Sequence, residues 1–377
     1  MATLGNRANN QPFKPSQAGG NAIKPAPRRA IVTSSLLPKD DMKKLPDNVV
    51  PGKAAVLPTL SGLREQMPQF KRQRILQDLV RTAGKENGLL TYRERPAEVR
   101  DIYTEDVGNE SLVVAYVEHI YNYLHQREMV RLSASYMEGM SVNGRMRAIL
   151  MDWIVSVAYK FKMSQDTLFL TVDMIDRFLA IPEMDVTKDE LQLIGVTCMF
   201  IASKFEEVYP PELEDFVFIA DQACSKQQIL ETEQVVCAAL QFDFTRPSAA
   251  HFLRRCCKAA QASTEEYCLA KYITELSLLT IDFVAELPSK IAAAAMYLTM
   301  LMRRGEEEEP VWDADMQYYS FYSEAEVKPL AAKLLEVVKA APSSRQQCIV
   351  KKYSSPKLYE VSPDAAAMAT EIEKYFQ

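Results

Sequence analysis

Few residues in this 377-residue chain have the types and spacing for covalent chemistry. Acidic neighbours such as Glu206-Glu207 could act as general acid and base, yet nothing separates them from ordinary helix-end charge. The three histidines, His119, His125 and His251, belong to no HExxH and to no spaced Cys/His cluster of the kind zinc requires. Seven cysteines (Cys198, Cys224, Cys237, Cys256, Cys257, Cys268 and Cys348) include no CxxC pair. Their odd number suits reduced, mostly buried thiols of an intracellular protein better than a disulfide framework. No GxxxxGK[ST] or GxGxxG run occurs, and only Gly139, Gly144, Gly195 and Gly305 follow residue 108, too few to cradle a phosphate. The expectation is a non-catalytic chain with no cofactor and no metal, whose chemistry is recognition.

The elements that would carry recognition are helices. In "MRAILMDWIVSV", Met146, Ile149, Leu150, Trp153, Ile154 and Val157 recur at helical spacing and make one apolar stripe. Thr187 and Glu190 form a capping box for a helix whose face runs through Leu191, Ile194, Cys198 and Ile201 and which ends by Pro210-Pro211. Ser225 with Gln228 starts another helix, running to about Leu240. Beyond Arg246-Pro247 a second helical set includes Phe252 to Cys257, Thr264 to Leu279, Ser289 to Met302 and a helix capped by Ser323 with Glu326. No alternating run bounded by hairpin turns appears. The fold class is all-α, two helical bundles of roughly 100–130 residues each.

Charge divides the chain. Residues 1–100 hold 18 Lys and Arg against 8 Asp and Glu, while the remainder holds 26 against 42. Eight of the twelve glycines and ten of the twenty prolines precede residue 109. Residues 1–108 therefore read as a disordered basic regulatory tail. The acidic balance of the folded part argues against nucleic acid as a partner. No apolar run reaches the ~18 residues of a membrane span, and the polar N-terminus lacks a signal-peptide core, so no membrane partner is expected. Basic clusters "KPAPRR" and "KRQR" fit nuclear import, giving an expected location in nucleus and cytoplasm.

"MRAILMDW", "IASKFEEVYPPE", "LQFDFTRPSAAHFLRR" and "LPSKIAAAAMYL" resemble the cyclins, specifically the B-type mitotic cyclins, over about residues 110–355. "RPSAAHFLRR", "YVEHIYNYL" and "KKYSS" carry the B-type assignment. The resemblance implies two tandem five-helix cyclin folds, at 109–243 with a preceding helix and at 244–355, then a C-terminal extension at 356–377. It also implies a regulatory subunit that binds and activates a cyclin-dependent kinase, controls mitosis and is destroyed through ubiquitin. An A-type-like cyclin acting earlier in the cycle, or a helical scaffold of cyclin fold without a kinase, are the alternatives.

Family roles follow where motifs match. Lys204 and Glu233 would meet the kinase's C helix, an ammonium donating to carbonyls and a carboxylate accepting from nearby donors, with Phe205 and Phe242 lining the same surface. Tyr116 and Tyr123, seven residues apart, match positions that touch the kinase's N-terminal lobe. Arg147 and Asp176 match a buried ion pair joining two helices of the first fold. Met146, Ile149, Leu150, Trp153 and Gln192 match a patch that docks Arg-x-Leu peptides of substrates and inhibitors. Ser156 stands where A-type cyclins have Glu, so selection for a basic anchor should be weaker here.

The tail carries "AGKENGLL", in which Lys85, Glu86 and Asn87 spell a KEN degradation signal, to be read by the anaphase-promoting ubiquitin ligase. Gly84 and Gly88 keep that stretch pliable. Two destruction boxes are degenerate: "MATLGNRANN" has Met1 in place of Arg, and "RQRILQDLV" has Gln73. The intact RxxL at Arg147 to Leu150 lies within a helix.

Overall fold

The computed structural model describes residues 95–184, 186–304 and 310–376. The KEN triplet and both degenerate boxes lie outside the described residues.

Helix α1 spans Val117–Arg127. The first fold follows as α2 Gly144–Phe161, α3 Gln165–Leu179, α4 Lys188–Glu206, α5 Leu213–Ile219 and α6 Lys226–Ala239. The second comprises α7 Ala249–Ala259, α8 Thr264–Leu276, α9 Pro288–Arg304, α10 Ala314–Ser320 and α11 Glu324–Ala340. The helices α12 Cys348–Tyr353 and α13 Val361–Glu371 come last. No strand occurs among the described residues. Two tandem five-helix units with a preceding helix are what the resemblance implied.

Local chemistry starts these helices where the sequence placed them. Thr187 with Glu190, Ser225 with Gln228 and Ser323 with Glu326 all form reciprocal capping boxes. Each satisfies two amides that a helix start leaves without an internal partner. Asn143, which the pattern did not single out, caps α2 by accepting from the Arg145 and Met146 amides.

Each fold wraps around one central helix. In α4 every residue from Ile194 to Ser203 is buried, and in α9 every residue from Ile291 to Leu301. A helix apolar on all sides belongs in a core. Accordingly α4 packs against α2, α3, α5 and α6, and α9 against α7, α8, α10, α11 and α13. The four alanines Ala292–Ala295 let neighbours approach α9 closely. Gly195 does the same in α4: a Cβ there would sit 2.8 Å from Leu150 Cδ1, so α2 can press directly on the central helix.

Two boundaries move. Residues 95–108, expected within the disordered tail, pack on the second fold. Val99 and Ile102 are buried, the Arg100 amide donates to Asp315 at 2.8 Å, and Tyr319 donates to the Arg100 carbonyl at 2.6 Å. Asp106 pairs with Lys258 of α7. A few apolar residues with well-placed hydrogen bonds offset the ordering cost that glycine and proline content suggested would win. At the other end, residues 356–377 are more than an extension: α13 buries Val361, Ala365 and Ala369 against α8 and α11. The second fold therefore continues past residue 355.

Candidate functional site

At the last turn of α4, Lys204 forms an ion pair with Glu233 of α6. The Lys204 ammonium also lies 4.0 Å from the centre of the Phe200 ring, a cation–π contact that fixes its direction. The two residues expected to meet a partner helix are thus brought together and satisfy one another. Their apolar neighbours do not: Phe205 is 50% exposed and Phe242 71%. Both lean on Phe244, which is buried, with ring centroids at 5.8 and 6.2 Å. Gln241 and Phe242 adopt left-handed backbone, with φ of 55° and 56°, and this turn swings Phe242 outward. Bulky side chains rarely accept such a conformation, so the surrounding packing must impose it.

The α1 surface extends this patch. Tyr116 closes the 3-10 turn ahead of α1, Tyr123 lies within α1, and they are 64% and 51% exposed. Ile120, between them on the same stripe, is exposed too. Sequence periodicity missed it because an outward apolar stripe has the same spacing as an inward one. Four residues beyond Tyr123, Arg127 reaches across to Asp243, the residue next to Phe242, and to the Thr245 hydroxyl at 3.1 Å. Arg177 and Arg246 also approach the Asp243 carboxylate, each at 4.0 Å. Burial works against ionising Asp243, but these three arginines outweigh it and hold its carboxyl below the usual range. Val208 and Tyr209, just past the end of α4, are almost fully exposed as well. Exposed aromatic and aliphatic side chains are thus carried by the elements around one ion pair.

A second surface lies along α2. Met146, Ile149 and Trp153 are half-buried, and Gln192 of α4 is likewise partly exposed. Leu150 departs from its expected place in this patch: at 4% exposure, against Gly195, it belongs to the core. The second fold contributes an edge to the surface, since a Cβ on Gly144 would lie 3.6 Å from Ile281 Cγ2. Ser156, one turn beyond Trp153, is half-buried.

Arg147 and Asp176 form the buried pair expected of them. Arg147 Nε and Nη2 donate to the two Asp176 oxygens at 2.6 and 2.7 Å, and Tyr136 donates to Asp176 at 2.8 Å. The pair also does more than join two helices of one fold. Arg147 Nη1 donates to the Leu278 carbonyl at 2.9 Å, so the same guanidinium holds the second fold. Glu128 makes a similar link that the sequence did not reveal: it accepts from the Ser289 amide at 2.9 Å and from its hydroxyl at 2.7 Å, near the start of α9.

All seven cysteines are free thiols. Among the described residues no group of His, Cys, Asp and Glu is placed to hold a metal ion, and no helix is long and apolar enough to cross a membrane.

The chain is thus a tandem of all-helical bundles with an exposed aromatic surface. Comparison with known proteins gives the family. The cyclin N-terminal domain matches residues 119–245 and the cyclin C-terminal domain residues 247–366. The chain is 40% identical over 266 residues to the G2/mitotic-specific cyclin-B of Hydra viridissima, covering 70% of this chain and 66% of that protein. It is 42% identical over 265 residues to the G2/mitotic-specific cyclin-B of Patella vulgata, covering 70% and 64%. With the G2/mitotic-specific cyclin-B2 of Oryzias javanicus it shares 42% over 267 residues, covering 70% and 68%. The chain thus spans just under two thirds of the length of the first two relatives. Among solved structures, a viral cyclin from herpesvirus saimiri shares the fold at a TM-score of 0.50 and 21% identity, covering 58% of this chain and 97% of that one. The chain belongs to the cyclin family, and it is a cyclin of the B type.

Proposed function

We propose that this cyclin binds and activates a cyclin-dependent kinase and so controls the onset and progress of mitosis. The observation that carries the reading is the exposed surface of Phe205, Phe242, Tyr116 and Tyr123 around the Lys204–Glu233 pair. An amphipathic helix of the kinase would cover the aromatics and bury their apolar area. Lys204 and Glu233 would exchange part of their mutual pairing for carbonyl and amide partners on that helix. Holding the helix in its active position completes the catalytic site of the kinase, while the cyclin contributes no reacting group. The test is to mix the recombinant chain with a panel of cyclin-dependent kinases and to assay histone phosphorylation. Activation by wild type and loss of it in Lys204→Ala/Glu233→Ala, with unchanged helical circular dichroism, is expected; normal activation by the double variant would reject this interface.

The α2 surface serves substrates. Met146, Ile149 and Trp153 with Gln192 dock Arg-x-Leu peptides of substrates and inhibitors, with a preference for their apolar anchors because Ser156 brings no carboxylate. Destruction proceeds through the anaphase-promoting ubiquitin ligase, with Lys85-Glu86-Asn87 as a main recognition element. The basic clusters of the tail support partition between nucleus and cytoplasm.

A further inference from the structure

Between the two folds lies a cavity of about 130 Å³, with Arg147, Asp173 and Asp176 in one wall and Arg246, Leu278 and Pro288 in the other. Most charges along it are matched. Arg147 holds Asp176, Arg177 holds Asp173, Arg254 holds Asp166 and Lys333 holds Glu286. Arg246 donates to the Val130 carbonyl at 3.0 Å, and Glu128 is engaged by Ser289 and His125.

Arg131, which lines the same cavity from the segment between α1 and α2, is different. Its Nε and Nη2 are both sealed from solvent, and neither reaches an acceptor among the described residues. Burial pushes the guanidinium down to about 10, outweighing the opposing pull of Glu128, Tyr322, Glu286 and Asp173. Glu206 and Asp166 also line the cavity, and Glu206 is shifted upward by burial, Asp166 and Glu207.

Nε and Nη2 are the side edge of the guanidinium, a fork matched in spacing to two oxygens of one oxyanion. Arg147 shows what the fork does in this protein, since the same two atoms grip both oxygens of Asp176. Arg131 carries an identical edge into the same cavity, where the nearby carboxylates of Asp173 and Glu286 are already held by Arg177 and Lys333. We infer that the cavity between the folds receives a phosphate or carboxylate group, held side-on by Arg131. The volume accommodates one such group with a water or two. The group arrives either as a free anion or on an acidic or phosphorylated side chain of a bound peptide. Neither source depends on the kinase reading above.

Calorimetric titration of the purified full chain at constant ionic strength distinguishes them. The probes are inorganic phosphate and an end-blocked Gly-Gly-phosphoserine-Gly-Gly peptide, each against wild type, Arg131→Lys and Arg131→Met. Wild type binds at least one probe, Arg131→Lys binds it at least tenfold more weakly, and Arg131→Met shows no binding. Preference for phosphate assigns a free anion; tenfold preference for the peptide assigns a partner side chain. Thermal unfolding adds a readout that a packing role would not give. Arg131→Met should match or exceed wild type without the probe and fall below it when the probe saturates wild type. Equal binding by all three proteins, binding by none, or the same loss of stability in Arg131→Met with and without probe would overturn the inference. Should Arg131→Met fail to fold, the tenfold ratio between wild type and Arg131→Lys decides.

Discussion

Arg127 and Asp243, 116 residues apart in sequence, form an ion pair that ties α1 to the turn bearing Phe242. Tyr123 sits four residues before Arg127 and Phe242 immediately before Asp243, so one contact sets the distance between two parts of the partner surface. Asp243→Asn removes the charge that gathers three arginines. The expected result is kinase affinity lowered by about 1 kcal/mol, roughly fivefold, with catalytic parameters of the saturated complex unchanged. Surface plasmon resonance against the kinase, paired with saturated histone assays, measures both.

The same carboxylate gives a pH signature. Its pKa is depressed in the folded state, so its contribution to stability is complete above the unfolded value, near pH 4, and is lost as pH falls below it. Urea midpoints of wild type and Asp243→Asn should differ at pH 7 and draw together as pH falls below about 4. A gap that stays constant across this window would mean that the arginines do not act through charge.

Phe242 and Phe244 separate binding from folding. Phe242 is mostly exposed and Phe244 buried. Phe242→Ala should leave the unfolding free energy within about 0.5 kcal/mol of wild type while weakening kinase binding by about 2 kcal/mol, roughly thirtyfold. Phe244→Ala should cost about 3–5 kcal/mol of stability. Denaturation curves and binding isotherms on both variants test the split.

Removing one member of the Arg147–Asp176 pair leaves a buried charge without its counterpart. Arg147→Ala should destabilise by about 3–5 kcal/mol, whereas replacing both by Arg147→Met/Asp176→Leu should be considerably milder. Chemical denaturation of the three proteins provides the comparison.

On the α2 surface, Met146→Ala/Trp153→Ala should lower phosphorylation of substrates bearing Arg-x-Leu and spare simple peptides. Leu150→Ala should behave otherwise, losing about 2–5 kcal/mol of stability by opening a cavity beside Gly195. Equal loss on both substrate classes by the surface variant would place those side chains in the core instead. In the tail, changing Lys85, Glu86 and Asn87 together to Ala should slow loss of the protein at mitotic exit with kinase activation intact. Normal loss in that variant, with stabilisation on mutating Leu4 or Leu76, would move the signal to a degenerate box.

Helices and their starts were legible because periodicity and capping chemistry are local. Thr187 with Glu190 needs only four consecutive residues to be read. Arg147 and Asp176 became legible through the family motif, but the Leu278 carbonyl did not, since any backbone carbonyl can accept and no residue type marks it. Arg127 with Asp243 and Glu128 with Ser289 are polar pairs distant in sequence, and a single chain carries no trace of their proximity. The family resemblance places Leu150 in the surface patch, and helical spacing could not correct this because it defines a stripe without saying which flank turns inward. Residues 95–108 were assigned to the tail on proline, glycine and charge, while their order rests on Val99, Ile102 and specific hydrogen bonds to α10.

The Asp152 carboxylate in α2 accepts the amide of Cys348 at 2.9 Å, a partner 196 residues further along the chain. Burial already shifts this acid toward its neutral form. On a ribosome adding roughly 5–20 residues per second, Asp152 waits about 10–40 s before Cys348 is made. During synthesis, then, the N-terminal fold carries an unsatisfied acid in its first helix, and almost the whole chain must emerge before that helix is complete. The interval from the making of α2 to its finished surface is thus set in part by one late amide.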